Sequence, residues 1–474
     1  MLTVAYLANR FPEAVEPYVG EEIQELQRHG VHVIPGSVRR PDAAQSGSCN
    51  GPLEPELLCL QPVRVLTLLR ALGLVVRRWK GIADLAGRVL LRGEESPKRR
   101  LKALLHTWLG AYYAVLLRGY RVDHVHVHHG YFGSWIAMVA ARLLGVGFSL
   151  TLHGSDLLLD GAYLDTKLKN CRFCLTISEY NRRYILEHFA AIDPRKIVVS
   201  RLGVDVPERG EWSRRVNCGA GRRFTLLAVG RLHAVKDHAF LVRACARLRD
   251  CGLDFECLIA GEGPERQRLE SLIRGSQLES QFKLPGHVAR EQMDALYRRA
   301  DVVVLTSRSE GLPLVLMEAM VRGRIVLAPA ITGIPEIIVP GETGFLYAPG
   351  VLPDFVARIL LILKLMRDEA RPAVCRLDWI RHAARAQVLH NFSRRRNLIR
   401  FGDRFVQLIA SPGLAGRDFT NLEFTTHDFT THDFTTKDWS PPHEDLVLQQ
   451  IQPCLQRYRG LPVRSHGTPA IQGT

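Results

Sequence analysis

The feature that most constrains the fold of this chain is an alternation of short apolar runs with segments of helical periodicity, which occurs in two series. Such alternation is typical of a parallel β-sheet covered by helices. The first series predicts strands near residues 4–8, 32–38, 124–128, 148–152, 174–177 and 196–200, with helices near 16–29 and 134–144. The second series predicts strands near 224–229, 255–259, 282–284, 302–305 and 325–327, with helices near 238–249, 265–273 and 290–299. We therefore predict an α/β protein with two doubly wound, Rossmann-like domains that face a central cleft.

The two series define the domain organisation of the 474 residues. We predict an N-terminal domain over residues 1–205, a polar linker over 206–223 and a C-terminal domain over 224–390. A helix over 391–411 follows, which is able to cross back to the first domain. In residues 412–474 a five-residue pattern recurs, and this spacing matches neither helix nor strand periodicity. We interpret the segment as a disordered tail, and its His427 and His432 as solvated side chains rather than metal ligands.

The net charge of +15 suggests an anionic partner, and most of it is concentrated in one segment. Residues 61–121, which we predict to be a helical insert in the N-terminal domain, hold 13 Lys and Arg against 3 Asp and Glu. The apolar side chains on one face of its helices are Leu68, Leu69, Leu72, Val75, Val76, Trp79, Leu101, Leu104, Leu105, Trp108 and Tyr112. Two interpretations stay open: surface helices packed on the sheet, or a surface that docks on an anionic membrane. Binding to nucleic acid is not expected, because the sequence lacks aromatic-interleaved basic strands and a recognition-helix motif.

Other features predict a cytoplasmic protein, either free or peripheral on the inner face of the cytoplasmic membrane. The sequence lacks an apolar run of about 18 residues, which a membrane-spanning helix needs, and its start lacks the basic leader of a secretion signal. The 10 cysteines lie mostly in apolar runs, which indicates reduced core residues. Cys171 and Cys174 form a CxxC pair, but no second pair lies at zinc spacing, so core packing is the favoured interpretation.

The most informative stretch is residues 302–320, in which a buried strand leads to a turn and the turn leads to a helix. Glu310 precedes Gly311-Leu312-Pro313, and Glu318 lies on the helix. Pro313 suits the first helical turn, where its missing N–H is not needed. The free backbone N–H groups and the positive end of the helix dipole form a site suited to a phosphate. The two carboxylates can accept hydrogen bonds from sugar hydroxyls on either side of that phosphate.

This stretch resembles the E-x7-E signature of the retaining, family-four (group 1) glycosyltransferases, which have the GT-B fold. Further segments are similar to motifs of that family and follow in the expected order: Gly230-Arg231-Leu232 with Lys236, Ala260-Gly261-Glu262-Gly263-Pro264, Gly286-His287-Val288, Thr332-Gly333-Ile334-Pro335-Glu336 and Gly341-Glu342-Thr343-Gly344-Phe345. The resemblance covers residues 2–410 and is clearest over 226–345. The loop Asn9-Arg10-Phe11-Pro12 lacks the glycine pair of many relatives and resembles the exopolysaccharide and colanic-acid branch.

The resemblance implies roles for the donor-binding residues. Arg231 and Lys236 would stabilise the departing diphosphate without a metal ion or other cofactor, and Glu310 would hold the sugar ring. Glu318 would bind the ribose hydroxyls. The remaining donor-binding positions are loop glycines, backbone groups near the phosphate and the lining of the base pocket: Gly230, Gly261, Gly311, Leu312, Pro313, His287 and Val288.

In the N-terminal half, Thr151-Leu152-His153-Gly154-Ser155-Asp156 ends a predicted strand and resembles the family's HGxD-like segment. His153 is the candidate for orienting the acceptor hydroxyl and the anomeric region of the sugar, since a neutral imidazole can donate or accept a proton. A purely structural histidine is the alternative. Asp156 is expected on the acceptor side. The preceding strand end carries a histidine cluster, for which we favour local hydrogen bonding over zinc: His126, His128 and His129.

The resemblance implies an enzyme that moves a sugar from a nucleotide-diphosphate sugar to a lipid-linked or polysaccharide acceptor, with retention of configuration. The expected partners are that donor, that acceptor and an anionic membrane surface contacted through residues 61–121. Two alternatives stay open, a nonenzymatic binding protein of the same fold and a sugar-nucleotide epimerase. An epimerase would convert the donor without an acceptor, and a binding protein would not release nucleoside diphosphate.

Overall fold

The computed structural model describes residues 1–13, 16–40, 57–92, 95–158, 161–207, 223–368 and 376–410. The predicted tail, with His427 and His432, lies outside these residues, as does most of the predicted linker. Within the described residues the chain forms two parallel β-sheets with helices on their faces. The predicted α/β class with two doubly wound halves is therefore confirmed.

The first sheet has seven strands among the described residues, in the order β3-β2-β1-β4-β5-β6-β7. Their bounds are β1 Thr3–Arg10, β2 His32–Arg39, β3 Leu58–Cys59, β4 His124–His128, β5 Gly147–Leu152, β6 Phe173–Thr176 and β7 Ile197–Val199. The helices of this half are α1 Pro17–Arg28, α2 Val65–Arg77, α3 Ala83–Leu90, α4 Pro97–Leu117, α5 Phe132–Leu144, α6 Ser155–Leu158, α7 Leu164–Asn170 and α8 Glu179–His188. Both faces of β1 are covered, with Ala5 and Leu7 in one apolar cluster and Val4 and Tyr6 in another. Burial on both faces explains why the strand sequences are continuously apolar rather than alternating.

The second sheet has six strands among the described residues, in the order β10-β9-β8-β11-β12-β13. Their bounds are β8 Phe224–Val229, β9 Phe255–Ala260, β10 Phe282–Gly286, β11 Val302–Val304, β12 Ile325–Pro329 and β13 Phe345–Tyr347. The helices are α9 His238–Asp250, α10 Arg266–Gly275, α11 Arg290–Arg299, α12 Leu314–Val321, α13 Leu352–Asp368, α14 Arg376–Asn391 and α15 Arg394–Ala410. Strands β3 and β13 were not predicted.

Helix α15 leaves the C-terminal half and packs on the first sheet. Phe401, Phe405 and Ile409 join the apolar cluster that contains Val4 and Tyr6 of β1. A guanidinium N–H of Arg172 donates to the carbonyl oxygen of Ile409 at 2.6 Å. The end of the described chain thus completes the core of the half in which the chain begins.

The basic insert consists of helices α2, α3 and α4, of which α2 packs on α4, and α4 packs on α5. The side chains of its predicted apolar face fall into two groups, one packed on the core and one exposed. Leu68, Val75 and Leu104 pack against the core of the first sheet, and Tyr112 is fully buried. The other predicted positions are exposed: Leu69, Leu72, Val76, Trp79, Leu101, Leu105 and Trp108. No helix among the described residues is long and apolar enough to span a membrane.

The cysteine pair of the first half lies in the protein core. Cys171 and Cys174 are buried as free thiols at the start of β6. Burial raises the pKa of the Cys171 thiol to about 12, which disfavours the thiolate that redox or metal chemistry needs. The predicted packing role is therefore confirmed.

Candidate active site

The order of strands reverses at one point in each sheet, and ligands of open α/β sheets bind beside such switch points. In the first sheet the switch lies between β1 and β4, and in the second it lies between β8 and β11. The loops after β8 and β11 carry Lys236 and Glu310, and the loop after β5, next to β4, carries His153. Lys236 and Glu310 therefore follow the two strands that flank the switch point of the second sheet, and His153 lies one strand away from the switch point of the first.

Lys236 and Glu310 form an ion pair in the second half. Nζ of Lys236 lies 2.5 Å from Oε1 of Glu310, and both side chains are largely shielded from solvent. The carbonyl oxygen of Lys236 accepts a hydrogen bond from the hydroxyl of Thr306 at 2.9 Å. The carbonyl oxygen of Glu310 accepts one from the hydroxyl of Thr332 at 2.5 Å. Two threonine hydroxyls thus hold the backbone of both residues in place.

The turn after Glu310 differs in one detail from the prediction. Helix α12 begins at Leu314, so Pro313 is the residue before the helix rather than part of its first turn. Its ψ of 106° is extended, as is usual for the residue that flanks a helix start. On the helix, Glu318 is partly exposed, and its Oε2 accepts a hydrogen bond from the hydroxyl of Tyr297 at 2.7 Å. One oxygen of that carboxylate is therefore bound by α11.

Glycine turns stack along the carboxyl edge of β8, β9 and β10. The N–H of Gly230 donates to the carbonyl oxygen of Ala260 at 3.0 Å, and the N–H of Gly261 donates to that of Gly286 at 2.8 Å. A Cβ on Gly261 would overlap the carbonyl oxygen of Gly230, so this stacking requires glycine. The predicted glycines therefore bring the backbone of three loops into contact.

The predicted side chains of these loops flank the glycine turns. Arg231 follows Gly230, and His287 and Val288 follow the turn at Gly286. Arg231 and His287 are exposed, and Val288 is partly exposed. This edge of the sheet is thus open to a ligand from solvent.

The two halves touch where the predicted motifs meet. A Cβ on Gly311 would overlap the carbonyl oxygen of His153, and a Cβ on Gly154 would lie 2.9 Å from Cα of Gly311. Gly154 also has a φ of 140°, which residues with a side chain rarely adopt. The loop of His153 is therefore pressed against the turn that follows Glu310, and residues predicted from both halves form one site.

Asp156 does not face the cleft, which corrects its predicted place on the acceptor side. Its carboxylate is fully buried and accepts hydrogen bonds from the backbone N–H groups of His153 at 3.0 Å, Gly154 at 2.8 Å and Gly130 at 2.7 Å. These three backbone N–H groups hydrogen bond to both oxygens of the carboxylate. Asp156 therefore holds the loop of His153 in place.

His129 is a buried cation beside His153, and the sequence did not indicate this charge. Its Nε2 lies 2.8 Å from Oε1 of Glu16, and its Nδ1 lies 3.7 Å from Oδ2 of Asp156. Burial would lower the pKa of His129, but the carboxylates of Asp156 and Glu16 raise it to about 10. The rings of His129 and His153 are 4.6 Å apart. Burial, and then the charge of His129, hold the pKa of His153 well below its ordinary value, so His153 is neutral at pH 7.

The polar residues that are buried behind His153 were only partly predicted from the sequence. The ring of His126 is hydrogen bonded to the hydroxyl of Ser149 at 2.7 Å and to that of Thr151 at 3.0 Å, which agrees with the predicted local hydrogen bonding.

Glu22 of α1 contacts His128 but was not predicted. The sequence feature that could have revealed Glu22 is a carboxylate on the apolar face of an amphipathic helix, where Val19, Ile23 and Leu26 are also buried.

A second contact between the halves is made by Glu336, which belongs to the predicted Thr332–Glu336 motif. Its carboxylate accepts hydrogen bonds from the backbone N–H groups of Tyr180 at 2.6 Å and Glu179 at 3.0 Å. These donors lie in the first turn of α8, where N–H groups have no partner within the helix. A carboxylate of the C-terminal half thus caps a helix of the N-terminal half.

Two family models match the chain in its two halves. The model described as "Glycosyl transferases group 1" matches residues 213–374, and that described as "Glycosyltransferase Family 4" matches residues 15–208. The chain belongs to the group 1 glycosyltransferases. The matched segments contain both the Lys236–Glu310 pair and the loop of His153.

Relatives of this chain support the same family. It is 31% identical over 206 residues to a putative colanic acid biosynthesis glycosyltransferase of Salmonella typhimurium, in an alignment that covers 42% of this chain and 48% of the relative. The chain thus spans about half the length of the curated relatives it matches. A solved glycosyltransferase from Rickettsia africae superposes with a TM-score of 0.61 at 19% identity, covering 86% of this chain and 99% of that one. Anabaena HepE, solved in complex with UDP, gives a TM-score of 0.60 at 17% identity, with 86% and 100% covered. At these identities the likeness establishes the GT-B fold.

Proposed function

We propose that this protein transfers a sugar from a nucleotide-diphosphate sugar to a lipid-linked or polysaccharide acceptor, with retention of the anomeric configuration. The observation that carries the proposal is the placement of the Lys236–Glu310 ion pair and the loop of His153 on either side of the contact at Gly311. This arrangement gathers a cation, a carboxylate and a neutral imidazole at one point of the cleft. The colanic acid relative supports a saccharide acceptor.

In the proposed reaction, a bond forms between the acceptor oxygen and the anomeric carbon as the bond from that carbon to the departing phosphate oxygen breaks. The proton of the acceptor hydroxyl passes to the departing diphosphate, which leaves from the same face of the sugar. Lys236 and Arg231 stabilise the negative charge on the diphosphate, aided by the backbone N–H groups of Gly311 and Leu312. Catalysis therefore depends on positioning and electrostatic stabilisation.

The remaining residues bind and orient the two substrates. Glu310 and His153 hydrogen bond to hydroxyls at the reacting centre, and Glu318 binds the ribose through the carboxylate oxygen that Tyr297 does not occupy. Gly230 and Gly261 let the diphosphate approach the backbone closely. His287 and Val288 line the base pocket, and Pro313 orients the start of α12.

The proposed reaction is independent of a metal ion, because Arg231 and Lys236 supply the positive charge that a divalent cation would otherwise provide. Transfer is expected to continue in excess EDTA at the rate of the untreated enzyme. Activity that EDTA abolishes and magnesium or manganese restores would contradict this part of the proposal.

The donor is identified first, by the thermal stabilisation of the purified protein by UDP-, GDP- and ADP-sugars. UDP-sugars are the first choice, since HepE was solved with UDP. Release of nucleoside diphosphate is then measured with oligosaccharide and lipid-linked acceptors, and NMR of the product gives the anomeric configuration. An inverted product would contradict retention. Conversion of the donor alone would favour the epimerase, and stabilisation without release under any condition would favour the binding protein.

We further propose that the exposed side of helices α2 and α4 docks on an anionic membrane, which would bring the enzyme to a lipid-linked acceptor. On α2, Leu69 is 59% and Val76 70% exposed, and Trp79, which lies just beyond the end of α2, is 50% exposed. Leu69, Leu72 and Val76 recur at helical spacing, so they form one apolar stripe. Exposed basic side chains surround them: Arg64, Arg70, Arg77, Arg78, Lys80, Lys98 and Lys102. An apolar stripe flanked by cations suits a surface with anionic headgroups above an apolar interior.

Liposome co-sedimentation tests the docking surface with phosphatidylcholine vesicles and with vesicles that also contain phosphatidylglycerol. We expect recovery with the anionic vesicles only. Each basic residue near such a surface contributes about 1 kcal/mol, so R70Q with R77Q should weaken binding about thirtyfold. Leu69→Ser with Val76→Ser should also weaken it, whereas Val351→Ser, at a position 43% exposed in the C-terminal half, should not. Equal recovery with both kinds of vesicle would contradict the proposal.

A further inference from the structure

A chain of buried hydrogen bonds runs from Glu22 of α1 to the ring of His153. Nε2 of His128 lies 3.1 Å from Oε2 of Glu22 and 2.8 Å from the hydroxyl oxygen of Tyr6. The hydroxyl of Tyr6 donates to Glu22. Nδ1 of His128 lies 2.9 Å from Nε2 of His153. Tyr6, Glu22 and His128 are all buried, so water does not compete for these contacts.

The partners of His128 determine which of its nitrogens carries the proton. The single hydroxyl hydrogen of Tyr6 points to Glu22, so both neighbours of His128 Nε2 present lone pairs to it. Nε2 must therefore carry hydrogen. In a neutral ring Nδ1 is then an acceptor, and the hydrogen bond to His153 requires the hydrogen on Nε2 of His153.

The tautomer of His153 follows from Nε2–H of His128 when the ring of His128 is neutral. His128 is buried, and its ring centroid lies 6.3 Å from that of His129, which already carries a positive charge. The charged groups that face the cluster are Glu22 beside His128, and Glu16 and Asp156 beside His129. Glu22 accepts hydrogen bonds from the hydroxyl of Tyr6 and from Nε2–H of His128, and a neutral His128 is enough to supply the second of these.

We infer that Glu22 and His128 are positioning residues that fix the tautomer of His153, so that Nδ1 of His153 accepts a hydrogen bond from a substrate hydroxyl. This inference rests on the proposed function and narrows it. Nδ1 of His153 has no hydrogen-bond partner among the described residues, and the residue is partly exposed at the contact with Gly311. The substrate group at this position must then be a hydrogen-bond donor. A fluorine or a methoxy group in place of that hydroxyl would not bind productively.

The tautomer can be measured without substrate, by NMR of full-length protein labelled with 15N-histidine. Spectra of His153→Gln and His128→Gln assign the two rings. In the unmodified protein we expect His153 to carry hydrogen on Nε2. In Glu22→Ala the hydroxyl of Tyr6 is free to donate to His128 Nε2, so both rings should reverse and His153 should carry hydrogen on Nδ1. In Tyr6→Phe the carboxylate of Glu22 remains, and the tautomer should not change.

Glu25→Ala is the matched control, since Glu25 is buried on the same helix but contacts Arg28 and His29 instead. It should leave the tautomer of His153 unchanged. A His153 with hydrogen on Nδ1 in the unmodified protein, as expected beside a charged His128, would overturn the inference. An unchanged tautomer in Glu22→Ala would overturn it as well.

Kinetics separate this inference from the proposed function. With an active donor and acceptor, Glu22→Ala should lower kcat about a hundredfold with little effect on KM for the donor, because a wrong tautomer impairs the reacting geometry. A reversed tautomer with unchanged kcat would refute the acceptor role of Nδ1. If the unmodified protein transfers no sugar but shows the expected tautomers, the proposed function fails and the positioning by Glu22 stands.

Discussion

The ammonium group of Lys236 lies 2.5 Å from Oε1 of Glu310, so the lysine that we propose to face the diphosphate is paired before any substrate binds. A bound diphosphate would compete with Glu310 for this cation. The carboxylate would then be released toward the sugar hydroxyls. On the proposed function, the ion pair would therefore link binding of the diphosphate to binding of the sugar.

The ion pair predicts opposite effects on binding and turnover. Glu310→Gln keeps the shape but removes the charge that competes for Lys236, so nucleoside diphosphate should bind at least as tightly as to the unmodified enzyme. Turnover should fall by orders of magnitude, as it should in Lys236→Ala and Glu310→Ala, with the fold retained. Calorimetry and product release measure the two effects. R308Q, which breaks the pair between the exposed Arg308 and Asp237 in the same region, is the control. Full turnover in Glu310→Gln would refute the assignment.

The hydrogen bonds from the first turn of α8 to Glu336 are expected to help hold the two halves together. Glu336→Gln weakens the interaction with the first turn of α8, and a cap of this kind contributes about 1 kcal/mol. We expect a broader distribution of distances between the halves in single-molecule fluorescence, with dyes placed on α4 and α13. Glu342→Gln changes an exposed carboxylate of the same half and should leave the distribution unchanged. An identical distribution in Glu336→Gln would show that this contact does not hold the halves together.

The buried cation at His129 predicts a loss of stability at alkaline pH. Its pKa is about 10 in the folded protein and about 6.5 in the unfolded chain, so the stabilisation is complete below pH 6.5 and is lost as the pH rises to 10. The loss is at most about 5 kcal/mol. His129→Gln should be less stable at pH 6, and the difference in free energy of unfolding should shrink toward pH 10. Urea unfolding at several pH values checks this, and a constant difference would contradict a charged His129.

The contact at Gly311 predicts a steric block. In Gly311→Ala the new Cβ would overlap the carbonyl oxygen of His153, so the two halves could not approach as they do here. We expect kcat/KM to fall a hundredfold or more, about 3 kcal/mol, while each half remains folded. Gly275→Ala, where a Cβ meets nothing within 4 Å, is the control. Unchanged kcat/KM in Gly311→Ala would mean that the reaction does not require this approach.

The sequence predicted most of the fold and the residues at the cleft, because strands buried on both faces leave continuous apolar runs and the loops after them carry local motifs. It did not predict the contact of Glu22 with His128, since these residues are 106 positions apart and meet only after folding. It also did not show that Leu68 is packed while Leu69 is exposed, because two leucines on one helix look the same in a sequence.

Helix α15 follows the second sheet in the chain but packs on the first, so the two halves cannot be separated as independent modules. Phe401, Phe405 and Ile409 fill the core beside Tyr6, so a fragment that ends near residue 205 would expose apolar surface on its first sheet. Hybrid proteins that combine the N-terminal half of this protein with the C-terminal half of a relative therefore need two junctions, one between the sheets and one before Arg394. A single crossover would pair the first sheet of this protein with a last helix that evolved against the first sheet of the relative.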